Sequence, residues 1–180
     1  RGMLVHRVLE VFWQERDGAT LQAMDGSARQ TALVAAIDLA LGEENSRRDQ
    51  ALPLRLLDLE RERLATLVAG WLDLEASRSG AFRVVARERP EEAQVAGLSL
   101  KLRVDRVDEL EDGRRLILDY KTGTAASIAD WLAERPSQVQ LPLYAAFAPE
   151  GAAVAGIALA KVVPEQPAFV GLAAEAGLLP

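Results

Sequence analysis

The chain has 180 residues, 49% of them hydrophobic, enough to bury one substantial core, and it is expected to form a single globular unit. It has no cysteine, which excludes disulfides, thiolate metal sites and cysteine nucleophiles, so any metal must be held by oxygen ligands and the one imidazole, His6. The net charge of −6 argues against a protein that coats nucleic acid unaided, yet leaves room for an enzyme that gathers carboxylates around divalent cations.

No apolar run reaches the roughly 18 to 20 residues of a membrane span and no cleavable signal opens the chain, so a soluble, cytoplasmic protein without membrane partners is expected. The chain begins Arg1-Gly2, with Met3 inside a helical pattern, which reads as a segment of a longer protein. Apolar residues from Met3 to Trp13 recur at helical spacing over Gly2 to Gln14, and His6 lies in this first helix. Ser27 precedes a second helical stretch, Ala28 to Leu41, ending at Gly42. A third runs from Pro53 to about Ala76, so residues 1–80 are mostly helix.

Beyond Gly80 the period falls towards 2. Phe82 to Arg87 and Leu98 to Asp105 alternate apolar with polar, and Asp112-Gly113 signals the turn into a more continuously apolar strand, Arg115 to Tyr120. Thr122-Gly123-Thr124 ends this three-stranded meander. A short helix around Ile128 to Ala133, a helix from Ser137 to Phe147, and strands over Val154 to Val163 and Phe169 to Leu172 complete residues 81–180.

Chemistry concentrates in Val104-Asp105-Arg106-Val107-Asp108 and Asp119-Tyr120-Lys121. Residues two apart in a strand share a face, so Asp119 and Lys121 emerge side by side at a strand end whose preceding residues are apolar. A hairpin about Asp112-Gly113 brings Asp105 opposite or diagonal to Asp119, where two carboxylates could share one cation. Oxygen ligands suit Mg²⁺ or Mn²⁺, which acidify water and stabilise charge growing on a phosphoryl centre, while Lys121 would orient that water or neutralise the same charge.

Asp105 followed by Asp119-Tyr120-Lys121 resembles the core of the PD-(D/E)xK nucleases, and the RecB-like branch most of all. Gly2 to Glu10 is similar to that branch's opening Gly-x-x-x-His helix, Asp105-Arg106-Val107-Asp108 to its Asp-Arg-x-Asp strand, and Gln140-Leu141-Pro142-Leu143-Tyr144 to its Gln-x-x-x-Tyr helix. The resemblance implies a restriction-endonuclease-like α/β fold, a mixed central sheet flanked by helices, with an N-terminal helical portion. It also implies metal ligation by His6, Asp105 and Asp119, catalysis by Asp105, Asp119 and Lys121, and substrate contact by Gln140 and Tyr144. Some relatives hold an iron-sulfur cluster through cysteines; none is expected here. The implied activity is Mg²⁺- or Mn²⁺-dependent hydrolysis of DNA, expected as an exonuclease in repair or recombination beside a helicase. The rival is a catalytically silent DNA-binding or scaffold module.

Blander roles stand beside these. His6 taken alone reads as a polar residue on an amphipathic helix, and Asp119 with Lys121 as a strand-end ion pair. Glu88 is either an additional acidic group of the site or part of the solvated run Arg87-Glu88-Arg89, and Asp108 reads as a turn-proximal surface carboxylate. Trp13, Trp71 and Trp131 read as core or interface anchors.

Overall fold

The computed structural model describes residues 2–95, 98–123, 127–147 and 153–180; Arg1 and Thr124 lie outside them. Four helices come first: α1 (Gly2–Phe12), α2 (Gly18–Ala23), α3 (Gly26–Ser46) and α4 (Leu54–Ala76). Strands β1 (Phe82–Val95), β2 (Leu98–Leu110) and β3 (Arg115–Lys121) follow, then a 3-10 turn (Ala129–Leu132), α5 (Gln140–Ala146), β4 (Val154–Lys161) and β5 (Ala168–Ala173).

Local chemistry moves several boundaries from their expected places. α2 is absent from the sequence reading; Asp17 starts it by accepting the Thr20 amide at 2.8 Å. Asp25, not Ser27, caps α3 through the Ala28 amide at 2.7 Å. α3 also runs through Gly42 to Ser46, because Ala40 and Leu41 are buried and Arg7 grips both oxygens of Glu43 at 2.7 Å, so tertiary contacts outweigh the ~1 kcal/mol penalty of a helical glycine. α5 begins only at Gln140, since the Asp130 carboxylate takes the Ser137 and Gln138 amides and holds that stretch outside the helix.

The sheet is mixed, in the order β1-β2-β3-β4-β5, with β3 and β4 parallel and the other pairs antiparallel. Gly113, at φ +81°, makes the β2–β3 turn, a conformation that favours glycine. β1 extends past Arg87 through Pro90; as the edge strand it tolerates a residue with no N–H to give. β3 and β4 are buried along almost their whole length, as central strands should be.

The largest apolar cluster joins α1, α3 and α4 to one sheet face through residues such as Leu9, Phe12, Ile37, Trp71 and Tyr120. On the other face Val107, Ile117 and Leu159 pack against Leu141 and Tyr144 of α5. Trp13 and Trp71 are core residues, and Trp131 packs against the α5 cluster. No described helix is long and apolar enough to cross a membrane.

Candidate active site

β2 carries opposite chemistry on its two faces. Asp105 and Val107 point one way, Arg106 and Asp108 the other, as the two-residue period requires. Asp108 is fully buried, which corrects its reading as a surface carboxylate. It accepts from Arg106 Nε at 2.6 Å and Arg78 Nη1 at 2.7 Å, while Arg106 Nη1 reaches Glu75 at 2.6 Å and the Tyr120 hydroxyl at 3.2 Å. The guanidinium of Arg106 also lies 4.1 Å from the Trp13 ring centroid, and that of Arg78 3.7 Å from the Phe82 centroid. Burial works against the charge on Arg106, but Asp108 and Glu75 outweigh it, so the guanidinium stays ionised. This cluster ties α4 to the sheet beneath the site. Sequence reasoning missed Glu75 and Arg78; the two-residue period of Arg106 and Asp108 was the available signal.

On the opposite face the strands part. The described β2–β3 pairs end at Arg106–Leu118, and one step beyond, the Asp105 carboxylate itself accepts the Tyr120 amide at 2.7 Å. Asp105 Oδ2 is also 3.3 Å from His6 Nδ1, delivered by α1. Glu88, on β1, stands between the pairs Arg87–Arg106 and Arg89–Val104, so it is level with Asp105. Its backbone adopts φ 45°, a left-handed conformation that a non-glycine residue holds at a cost of roughly 1 to 3 kcal/mol and that gathers at functional sites. The strained residue brings Glu88 Oε1 to 3.6 Å from His6 Nδ1. His6, Glu88 and Asp105 each offer a ligand atom within 4.8 Å of one another.

Asp119 is buried, and its Oδ2 is paired with Lys121 Nζ at 2.5 Å. Burial raises its pKa, Lys121 pulls it down, and the nearby Asp105 adds to the rise. For His6, burial lowers the pKa, but hydrogen bonds and charge from Asp105 and Glu88 prevail and lift it to about 9. Imidazole and carboxylate oxygens are hard-to-borderline donors, so this set fits a divalent cation such as Mg²⁺ or Mn²⁺.

A cavity of about 530 Å³ opens over this group, with His6, Glu88, Asp105, Asp119, Arg103 and Gln140 among its lining residues. Gln140 donates through Nε2 to the Arg103 carbonyl. Tyr144, one turn further along α5, is buried in the core beneath and does not line the cavity. The fold therefore brings together six of the seven residues singled out in sequence, leaving Tyr144 below: five lie in or around the cavity wall, and Lys121 reaches the site through its pair with Asp119.

No curated protein matches the chain significantly. A family model does, over residues 1–175: that of the PD-(D/E)XK nuclease superfamily, whose members typically use divalent metals. A match of that extent, on a mixed five-stranded sheet flanked by helices with an acidic site where its second and third strands part, places this chain in the PD-(D/E)XK nuclease superfamily, to which it belongs.

Proposed function

We propose that this chain is a RecB-type deoxyribonuclease that hydrolyses DNA phosphodiesters with Mg²⁺ or Mn²⁺, working from DNA ends as an exonuclease in cytoplasmic repair or recombination. The observation that carries the reading is convergence: α1, β1, β2 and β3 each send an ionisable side chain to one cavity, where His6, Glu88, Asp105 and Asp119 gather and Lys121 is held against Asp119. Chance surface charge does not account for a carboxylate held by a strand amide beside another on a strained backbone.

In this reading His6, Asp105 and Asp119 hold the cation, with Glu88 as the additional acid. The cation would acidify water and neutralise charge developing at phosphorus. The Tyr120 amide fixes one oxygen of Asp105, and its geometry is therefore set by backbone. Lys121, less buried than Asp119 and touching it, is placed to orient water or to meet the charge that grows on the phosphate. Gln140 bounds the strand's path at the cavity edge, and buried Tyr144 seats α5 so that Gln140 stays there. A net charge of −6 supports a helicase or helicase-like region as the partner that delivers the strand.

The test is degradation of labelled linear and circular, single- and double-stranded DNA with Mg²⁺, Mn²⁺ or EDTA. The chain is expected to degrade linear DNA with either metal, and Asp119→Ala and Lys121→Ala to abolish this without unfolding the protein. Metal binding with no cutting would point to a missing partner domain; neither binding nor cutting would favour the silent module and end the nuclease reading.

A further inference from the structure

An acidic floor poses a problem for a substrate made of phosphates, because carboxylates repel it before any cation is shared. The cavity answers with two exposed guanidinium groups on different walls. Arg103, on β2, is 65% exposed and has one described ion pair, 2.5 Å from Glu88 Oε2, so a fork of five N–H donors is only partly used. Its backbone is pinned, since its carbonyl accepts from Gln140 of α5. Arg47, on the α3 wall, is 69% exposed. Its described approach to Glu43 is 3.9 Å, and both oxygens of Glu43 are already taken by Arg7 at 2.7 Å. Arg47 is not needed to satisfy a buried carboxylate, and Arg103, the close partner of the mostly buried Glu88, has donors left over for a second anion.

We propose that Arg47 and Arg103 form a two-point phosphate clamp that holds the nucleic-acid backbone on either side of the bond to be cut, with Gln140 acting through the Arg103 backbone. The proposal rests on the nuclease reading for the bond cut, while the clamp itself is a binding property with its own measurement. Arginine suits the task because its planar fork can meet two phosphate oxygens at once. Among the described residues the two groups serve no common partner, and they share a cavity whose remaining described charge is mostly negative.

The experiment is fluorescence-anisotropy titration of a labelled 20-nucleotide single strand, with Mg²⁺, in an Asp119→Asn background, across a range of salt. Each phosphate contact on single-stranded nucleic acid contributes about 0.7 to the slope of log affinity against log salt. Arg47→Ala and Arg103→Ala are each expected to reduce the slope by about that amount and to weaken binding several-fold, and the pair additively. The corresponding lysine variants should keep the slope while losing part of the affinity. Arg61→Ala, on α4 and paired with Asp38 and Asp58, should change neither. A Mn²⁺ titration of the Arg103→Ala variant separates the clamp from a mere prop for Glu88: metal affinity should hold or rise, and its collapse would overturn the proposal. Slopes unchanged in both alanine variants, while the Asp119-intact chain cleaves DNA, would overturn the clamp alone. A strand bound by no form of the protein would overturn the clamp and the nuclease reading together.

Discussion

Asp105 and Asp108 lie three residues apart on β2, on opposite faces of the sheet, and their surroundings differ in both charge and solvent. Asp108 and Glu75 meet Arg106 and Arg78, two carboxylates against two guanidinium groups, with side-chain exposures of 2% or less. Nothing there can leave without stranding a buried charge. On the other face Glu88, Asp105 and Asp119 are also mostly buried, but their cations are less so: His6, Arg103 and Lys121 are 27%, 65% and 42% exposed. The carboxylates are fixed and their partners can yield. A sealed, balanced cluster holds elements together, whereas fixed anions beneath displaceable cations form a site that could hold a metal ion.

The same isosteric change on each face should break the two regions differently. Asp108→Asn leaves two buried guanidinium groups with one carboxylate, and losing one partner of a buried ion pair costs about 3 to 5 kcal/mol, so the urea midpoint should fall steeply. Asp119→Asn removes a charge that burial and Asp105 already oppose, so stability should change by less than about 1 kcal/mol. Cleavage should show the reverse emphasis. Asp119→Asn loses several kcal/mol of cation-borne transition-state stabilisation, on the order of 10³ in rate. Equal destabilisation by the two variants would dissolve the distinction.

A smaller effect separates the faces by pH. His6 has its pKa raised from 6.5 to about 9, so it gives metal-free protein a stabilising contribution that is complete below about pH 6.5 and disappears as pH rises through about 9. Partial exposure reduces that contribution to roughly 1 to 2 kcal/mol. Chemical denaturation in EDTA should therefore show stability declining over that window, with the decline absent in His6→Gln. Mn²⁺ needs the imidazole unprotonated, so it should reverse the trend, adding about 2.7 kcal/mol at a hundredfold excess over Kd at the alkaline end. A His6→Gln variant with the wild-type slope would remove His6 from the site's charge balance.

The open site was far more legible in sequence than the sealed one. Asp105, Asp119 and Lys121 betray themselves as charged residues at the ends of apolar strands, a placement that period 2 alone exposes. His6 becomes informative only beside them. Glu88 stayed ambiguous because a surface charge run and a strained ligand share one composition, and the deciding feature, a backbone at φ 45°, has no letter. Asp108 was misread because its partner Arg78 lies 30 residues away, just past the end of α4, a contact that strand periodicity cannot report. The same blindness to long-range contacts hid the continuation of α3 past Gly42, which depends on Arg7 holding Glu43. Periodicity gave the three-stranded meander, two alternating segments and one more continuously apolar, while the mixed sheet was expected from the family resemblance.

Tyr120, the middle residue of Asp119-Tyr120-Lys121, touches both regions through different atoms. Its hydroxyl accepts from Arg106 in the sealed cluster at 3.2 Å, its backbone amide donates to Asp105 in the open site, and its ring stands edge-on to His6 and Trp71. Burial is the main reason its hydroxyl resists ionisation, so it acts as a neutral hydrogen-bonding group. Tyr120→Phe removes the hydroxyl alone. Arg106 Nη1 keeps its 2.6 Å bond to Glu75, which limits the loss to about 1 kcal/mol of stability. The amide that fixes Asp105 is backbone and survives, as does the ring beside His6. Cleavage per folded molecule should consequently stay within about twofold of wild type, which lies well inside the tenfold that each 1.4 kcal/mol commands. A tenfold loss of cleavage with unchanged stability would mean that the hydroxyl serves the open site after all, and that the two faces of β2 are coupled through this one side chain.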